Sequence, residues 1–200
     1  MRKHENRALR TFVAVPLNKT TVQALSIFID HINAKNNLGI RWVKPKHLHI
    51  TLNFLPKTSR IQFVPILKEI QQATNRFIPF PLRLGTLRVF PHINRPRILW
   101  VSVLGDLNKL ESLHRTIDSK LTALGFFRER EEIIPHITLG RIRSTANPTS
   151  PLLIKQLINA NFNFPAEDWN VSKLCYIEST LTETGPVYKT IGIAPLGKGQ

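Results

Sequence analysis

One four-residue string, His-Ile-Thr-Leu, occurs twice in this chain, at His49–Leu52 and at His136–Leu139. Each copy lies in a short run rich in apolar and β-branched residues, Leu48–Leu55 and Ile134–Ile142, that reads as a strand. Side chains at i and i+2 of a strand face the same side. Each copy therefore presents an imidazole and a hydroxyl on one face, with an isoleucine and a leucine on the other. Few folds accommodate that pattern. The apolar faces of both strands must be covered while the polar faces stay open. With seven histidines in 200 residues, a matched pair of such strings is far from a chance expectation.

The rest of the chain supplies the cover. Val22, Leu25, Phe28, Ile29 and Ile32 form an apolar stripe at helical spacing. Ile61, Val64, Leu67, Ile70 and Phe77 form a second, after a Thr58 or Ser59 cap, and Pro65 is expected to confine its regular part to the C-terminal side. Leu107, Leu110, Leu113, Ile117, Leu121 and Leu124 form the third, between a capping Asp106 and a terminating Gly125. Ser150-Pro151 opens a fourth that runs through Leu153 and Leu157. Further strands are expected at Arg10–Leu17, Phe80–Phe90, Ile98–Leu104, Val171–Leu181 and Val187–Ile193. The order is strand, helix, strand, helix, two strands, helix, strand, helix, two strands. This is an α+β pattern with two-fold internal similarity, and no linker marks a boundary between independent domains.

Charge narrows the partners. Lys plus Arg number 28 against 13 Asp plus Glu, a formal net charge of +15. An apolar fraction of 42% builds a real core and excludes a disordered basic tail. The basic balance points to an anionic ligand, most often nucleic acid held through its phosphates. Zinc-finger spacing and the aromatic RNA-recognition signature are both missing. Cys175 is the single cysteine, so no intrachain disulfide forms and a Cys-based zinc site lacks ligands. No apolar run approaches the roughly 20 residues that span a bilayer, and Met1–Arg7 is not followed by the apolar stretch of a secretory signal. The expected setting is the cytoplasm, with no membrane partner.

Two histidines facing a common cleft fit acid–base work. An ordinary imidazole, with a pKa near 6.5, exists in both protonation states near neutral pH. Displacement at phosphorus places attacking and leaving oxygens roughly in line, so a base and an acid belong on opposite sides of it. Thr51 and Thr138 are then placed to bind the non-bridging oxygens. Two His and two Thr lack the carboxylates or thiolates of a usual metal site, so no metal and no cofactor is expected. The residues alone do not say which histidine is the acid.

The paired strings resemble those of the 2H phosphoesterase superfamily, and the chain resembles more closely its RNA 2′,3′-cyclic phosphodiesterases, also called 2′-5′ RNA ligases. The likeness rests on Arg10–Val15, Arg41–Leu55, Arg97–Val101, Pro135–Arg141, Glu178–Leu181 and Gly185–Tyr188. It implies a two-lobed α+β fold over residues 8–196, with antiparallel sheets and flanking helices around a central cleft, behind a flexible basic segment 1–7. It implies hydrolysis of RNA 2′,3′-cyclic phosphate ends to 2′-phosphates, with reversible 2′-5′ joining in some members. By the likeness, His49 is the general acid and His136 the general base. The sequence is silent on oligomeric state, and a monomer is the default expectation. An Arg shortly before the second motif is common in the family. Arg130 is the candidate phosphate clamp here, although Glu131 falls at the expected place, and Arg128–Glu132 also reads as a solvated charge run. Pro56 stands where the family often has Gly, so the turn there is expected to differ.

Other residues near the motifs have bland and functional readings. His47 is a residue leading into the strand or lines the cleft mouth. Trp42 packs in the core or stacks a base. His92 and His114 are read as structural or surface residues. Arg41, Lys44, Lys46, Arg95, Arg97, Arg141 and Arg143 form the cationic supply for RNA. Two competing functions remain: a 2H enzyme for a small cyclic nucleotide or a 2′-5′ oligoadenylate, and a non-catalytic RNA-binding module.

Overall fold

All strand pairs in the computed structural model are antiparallel, and they join into one curled sheet. The structure describes residues 8–35, 38–126, 133–142, 150–160, 162–164, 167–183 and 185–197. Segment 1–7, Arg128, Arg130, Glu131 and Arg143 lie outside the described residues. In chain order the elements are β1 (Leu9–Pro16), α1 (Lys19–Lys35), β2 (Ile40–Trp42), β3 (His49–Thr58), α2 (Phe63–Thr74), β4 (Phe80–Phe90), β5 (Ile98–Gly105), α3 (Leu107–Ala123), β6 (His136–Ile142), α4 (Ser150–Asn159), β7 (Trp169–Val171), β8 (Lys173–Thr182) and β9 (Gly185–Pro195). Short 3₁₀ turns, Pro45–His47 and Arg60–Gln62, precede β3 and α2.

The strand order is β7-β4-β5-β6-β3-β1-β8-β9, with β2 paired to β6. Two halves meet at the β3–β6 seam, where the assigned pairing is Ile50 with Ile137. Each half is built around one His-Ile-Thr-Leu strand, β3 paired with β1 and β6 paired with β5. The isoleucine and leucine of both copies are buried, at 3% exposure or less. This is the α+β, antiparallel fold expected from the sequence.

The helices cover the apolar side. In α1, Leu25, Phe28, Ile29 and Ile32 are buried, as the stripe predicts. In α3, Leu110, Leu113, Ile117 and Leu121 are buried, and the Asp106 carboxylate accepts the Lys109 backbone N–H, so the predicted cap is present. The second stripe is corrected. Ile61 and Val64 are exposed, at 78% and 76%, and the buried set is Ile66, Ile70, Ala73 and Thr74. Ser59 opens a 3₁₀ turn instead of the helix, its N–H and Oγ both donating to Gln62 Oε1. The helical phase is therefore reset at Phe63. Pro65 falls in the first turn of α2, where its missing N–H has no intrahelical partner to lose.

Several strand boundaries also differ. The expected strand Val171–Leu181 is two strands, parted at Ser172, whose carbonyl accepts the Leu196 N–H. Strand β3 has no turn at Pro56 and continues to Thr58, with a register shift opposite Leu9–Thr11. Strand β6 begins at His136, leaving Ile134 exposed. No helix among the described residues is long and apolar enough to cross a membrane.

Candidate active site

The single Ile50–Ile137 pair sets the geometry of the site. One residue to either side, the antiparallel register turns His49 toward Thr138 and Thr51 toward His136. All four are half-buried and line one cleft of about 720 Å³ between the two halves. The structure thus brings together four of the five site residues expected from the sequence. The fifth, Arg130, lies outside the described residues.

Both imidazoles are held in the same way. His49 Nδ1 lies 2.6 Å from the His47 carbonyl oxygen, and His136 Nδ1 lies 2.8 Å from the Ile134 carbonyl oxygen. A carbonyl only accepts, so Nδ1 carries the proton in each ring and Nε2 is the nitrogen available for proton transfer. His49 Nε2 sits 3.0 Å from Thr51 Oγ1. In both copies the anchoring carbonyl is two residues before the histidine, at the point where the chain enters the strand.

The surroundings of the two rings differ. His49 stacks on Phe12, with centroids 4.9 Å apart and planes 25° apart, and meets the edge of Tyr188 at 5.6 Å. Burial pushes its pKa below the ordinary 6.5. The bond to the His47 carbonyl opposes that, and the nearby His136 and His47 add to it. His136 meets the Trp100 ring edge-on at 5.6 Å.

His47 ends the 3₁₀ turn before β3, and its ring lies 4.6 Å from Tyr188 in the cleft wall. Burial, then Lys46 and Lys44, lower its pKa. Tyr188 is a site residue that the motif search does not reach. Its hydroxyl pKa is raised by burial, against the pull of Arg141 and Arg10. Its signal in the sequence is its place in the Gly185–Tyr188 hairpin. Trp42 is partly buried and packs against the core, in keeping with the expected packing role; its indole N–H donates to Asn33 Oδ1 at 3.1 Å, and the residue also lines the cleft. His92 is exposed in a loop and His114 is buried in α3, in keeping with a structural or surface reading.

Of the expected cationic supply, Arg41, Lys44, Lys46 and Arg141 line the cleft. Arg95 and Arg97 are exposed and are not among its lining residues. Arg10 joins the lining from β1, its guanidinium carbon 5.1 Å above the Phe54 ring. Arg41 lies against Gly185, whose φ of +127° suits glycine; a Cβ there would run into the guanidinium. Among the described residues, no group of three or more His, Cys, Asp or Glu side chains is placed to hold a metal ion.

A model of the 2′-5′ RNA ligase superfamily matches residues 21–183. The chain belongs to that superfamily.

Relatives of this superfamily member extend over most of its length. It is 33% identical over 174 residues to an RNA 2′,3′-cyclic phosphodiesterase of Aquifex aeolicus, covering 86% of this chain and 90% of that protein. It is 34% identical over 160 residues to an RNA 2′,3′-cyclic phosphodiesterase of Aeropyrum pernix, covering 79% of this chain and 87% of that protein. Its fold matches a crystal structure from Thermus thermophilus with a TM-score of 0.74 and 24% identity, over 96% of this chain and all of that one.

Proposed function

We propose that this 2′-5′ RNA ligase superfamily member hydrolyses RNA 2′,3′-cyclic phosphate ends to 2′-phosphates without a metal, through His49 as general acid and His136 as general base. The observation that carries this reading is the matched anchoring of the two imidazoles. Each Nδ1 is committed to a backbone carbonyl, and both rings line one cleft. The relatives from Aquifex aeolicus and Aeropyrum pernix, both RNA 2′,3′-cyclic phosphodiesterases, support the substrate class.

In this mechanism the cyclic phosphate sits between the two strands. Thr51 and Thr138 hydroxyls bind its non-bridging oxygens and oppose the charge that develops on them. His136 Nε2 takes a proton from water as the water oxygen bonds to phosphorus. The bond from phosphorus to O3′ breaks, and His49 Nε2–H gives its proton to O3′. The product carries a 2′-phosphate and a 3′-hydroxyl. An RNA 5′-hydroxyl in place of water undergoes the same proton exchange and forms a 2′-5′ linkage. Burial favours the neutral form of His49 in the free protein, and the negative charge of a bound phosphodiester favours its protonated form. The acid is thus loaded when the substrate is present.

One chain supplies both histidines, so the proposed site is complete without a second copy; the proposed enzyme is a monomer of the cytoplasm in which residues 8–196 act as one bilobal domain. Product analysis with a cyclic-phosphate RNA end in the presence of chelator tests the reading. The expected product is the 2′-phosphate, formed at the same rate with and without chelator. A 3′-phosphate product, or activity restored only by added metal, overturns it.

A further inference from the structure

An RNA that ends in a cyclic phosphate continues through the 5′ oxygen of its last nucleotide, so the strand must leave the cleft over the protein surface. A second groove, of about 470 Å³, adjoins the cleft and shares Arg10, Ser179 and Leu181 with it. Its remaining wall includes Ala8, Arg60, Glu178 and Thr180. Arg10 therefore stands where the two cavities join.

Arg60 is built into this groove in an unusual way. Its Nη2 lies 3.5 Å from Oε1 of Glu178, a carboxylate only 9% exposed, while the Arg60 side chain itself is 58% exposed. Its guanidinium carbon also lies 6.0 Å from the Phe63 ring centroid. The guanidinium thus lies within reach of a buried carboxylate and an aromatic ring, while more than half of the Arg60 side chain stays exposed. An arginine held like this meets a phosphate without first losing the freedom of a loose side chain. Glu178 lies beside Arg60 and lines the groove, but its side chain is only 9% exposed.

We infer that this groove is the track for the RNA strand upstream of the cyclic end, with Arg60 contacting a backbone phosphate beyond the terminal nucleotide. The inference rests on the proposed RNA substrate and deepens it: the site selects oligonucleotides over mononucleotides. Arg10, at the junction, passes the strand from cleft to groove. Ser179 and Thr180 of β8 also line the groove.

The test compares a 2′,3′-cyclic mononucleotide with a trinucleotide of the same terminal base, in wild type, Arg60→Ala and Arg60→Ala/Glu178→Gln. The double variant removes the buried charge that the single one leaves unpaired, so a folding defect is separated from a lost contact. Wild type is expected to favour the trinucleotide through KM. Both variants should lose about tenfold in kcat/KM on the trinucleotide, the scale of one charge-assisted contact, and nothing on the mononucleotide. The slope of log affinity against log salt should become shallower by about 0.7 for the trinucleotide. Equal losses on both substrates, or no loss on either, overturn the track and leave the active-site reading standing. A wild-type enzyme that hydrolyses neither substrate overturns both.

Discussion

Leu52 and Leu139 occupy the same place in two strands: each is the extra residue of a β-bulge. Strand β1 pairs with Thr51 and then with Asn53, passing over Leu52. Strand β5 pairs with Thr138 and then with Gly140, passing over Leu139. An extra residue inverts the alternation beyond it. The cleft face of each strand therefore continues at the fifth residue after the histidine, which is Phe54 in one half and Arg141 in the other. Both line the cleft. The repeat thus builds a matched pair of cleft-facing strand edges with an aromatic ring on one side and a cation on the other.

That asymmetry leaves an exposed ring in the cleft wall, and a stacking role for Phe54 can be tested. It is 48% exposed although it is a large aromatic, and Arg10 lies over its ring. Base–aromatic stacking is worth about 1–3 kcal/mol per base. Phe54→Ala should raise KM for a cyclic-ended oligonucleotide by about 5- to 150-fold at the matching energies, with kcat little changed. The melting temperature should fall only modestly, because about half of the residue is already exposed in the free protein. A fall in kcat with KM unchanged would refute the stacking role.

Replacing either histidine should remove turnover and spare binding. His49→Ala and His136→Ala should each lower kcat by about 10²–10⁴, the usual worth of a general acid or base. The double variant should be little worse than either single one, because both groups act in one transition state. Thr51→Val and Thr138→Val should be milder, since each removes one hydrogen bond to a charged oxygen, worth about 1.5–3 kcal/mol. Oligonucleotide affinity should survive in the histidine variants, because it rests on Arg and Lys. Near-wild-type hydrolysis by His136→Ala would end the two-histidine mechanism.

The protonation of His49 is open to direct measurement. Its pKa is lowered by burial, so as pH falls the free protein keeps this ring neutral past the point where an ordinary histidine takes its proton. Nitrogen-detected NMR should find the neutral ring protonated at Nδ1, titrating below the ordinary histidine value of about 6.5. Inorganic phosphate in the cleft should move that titration upward. One limb of the kcat/KM profile should lie below that ordinary value and shift up in the kcat profile, which reports the bound enzyme. A neutral ring protonated at Nε2 would contradict the anchoring of His49 by the His47 carbonyl.

The doubled string made the centre of the site legible, because period-2 alternation alone places His49 with Thr51 and His136 with Thr138. Alternation failed at Phe54 and Arg141, since it knows nothing of the bulges at Leu52 and Leu139. A bulge is a relation between two strands and leaves no mark in one. Phe12 and Tyr188 reach His49 from β1 and β9, at sequence distances that no local pattern spans. The second helical stripe went wrong for a local reason: Ile61 and Val64 lie at the join between a 3₁₀ turn and α2, where the two helical periods differ. Strands β2 and β7 are three residues each, too short for a period to register.

Gly140 offers a test of how closely β2 must lie on β6 for the site to work. It pairs with Trp42 in β2 and with Leu99 in β5, and a Cβ at this position would run into Ile40 Cγ2 and crowd the Arg41 carbonyl and the Trp42 ring. The neighbours are strand backbone and packed side chains, so they have little room to give. Overpacking of this kind costs about 1–3 kcal/mol, and each kcal/mol lowers the melting temperature of a protein of this size by about 2–4 °C. Gly140→Ala should therefore melt roughly 2–12 °C lower. The same displacement moves β2, which carries Arg41 and Trp42 into the cleft wall, so KM for a cyclic-ended oligonucleotide should rise at temperatures well below melting. Gly125→Ala is the control for backbone strain alone: its φ is +88° and nothing lies within 4 Å of the added Cβ. It should lower the melting temperature and leave KM unchanged. If Gly140→Ala melted like wild type with an unaltered KM, the close approach of β2 to β6 would have no part in holding the cleft.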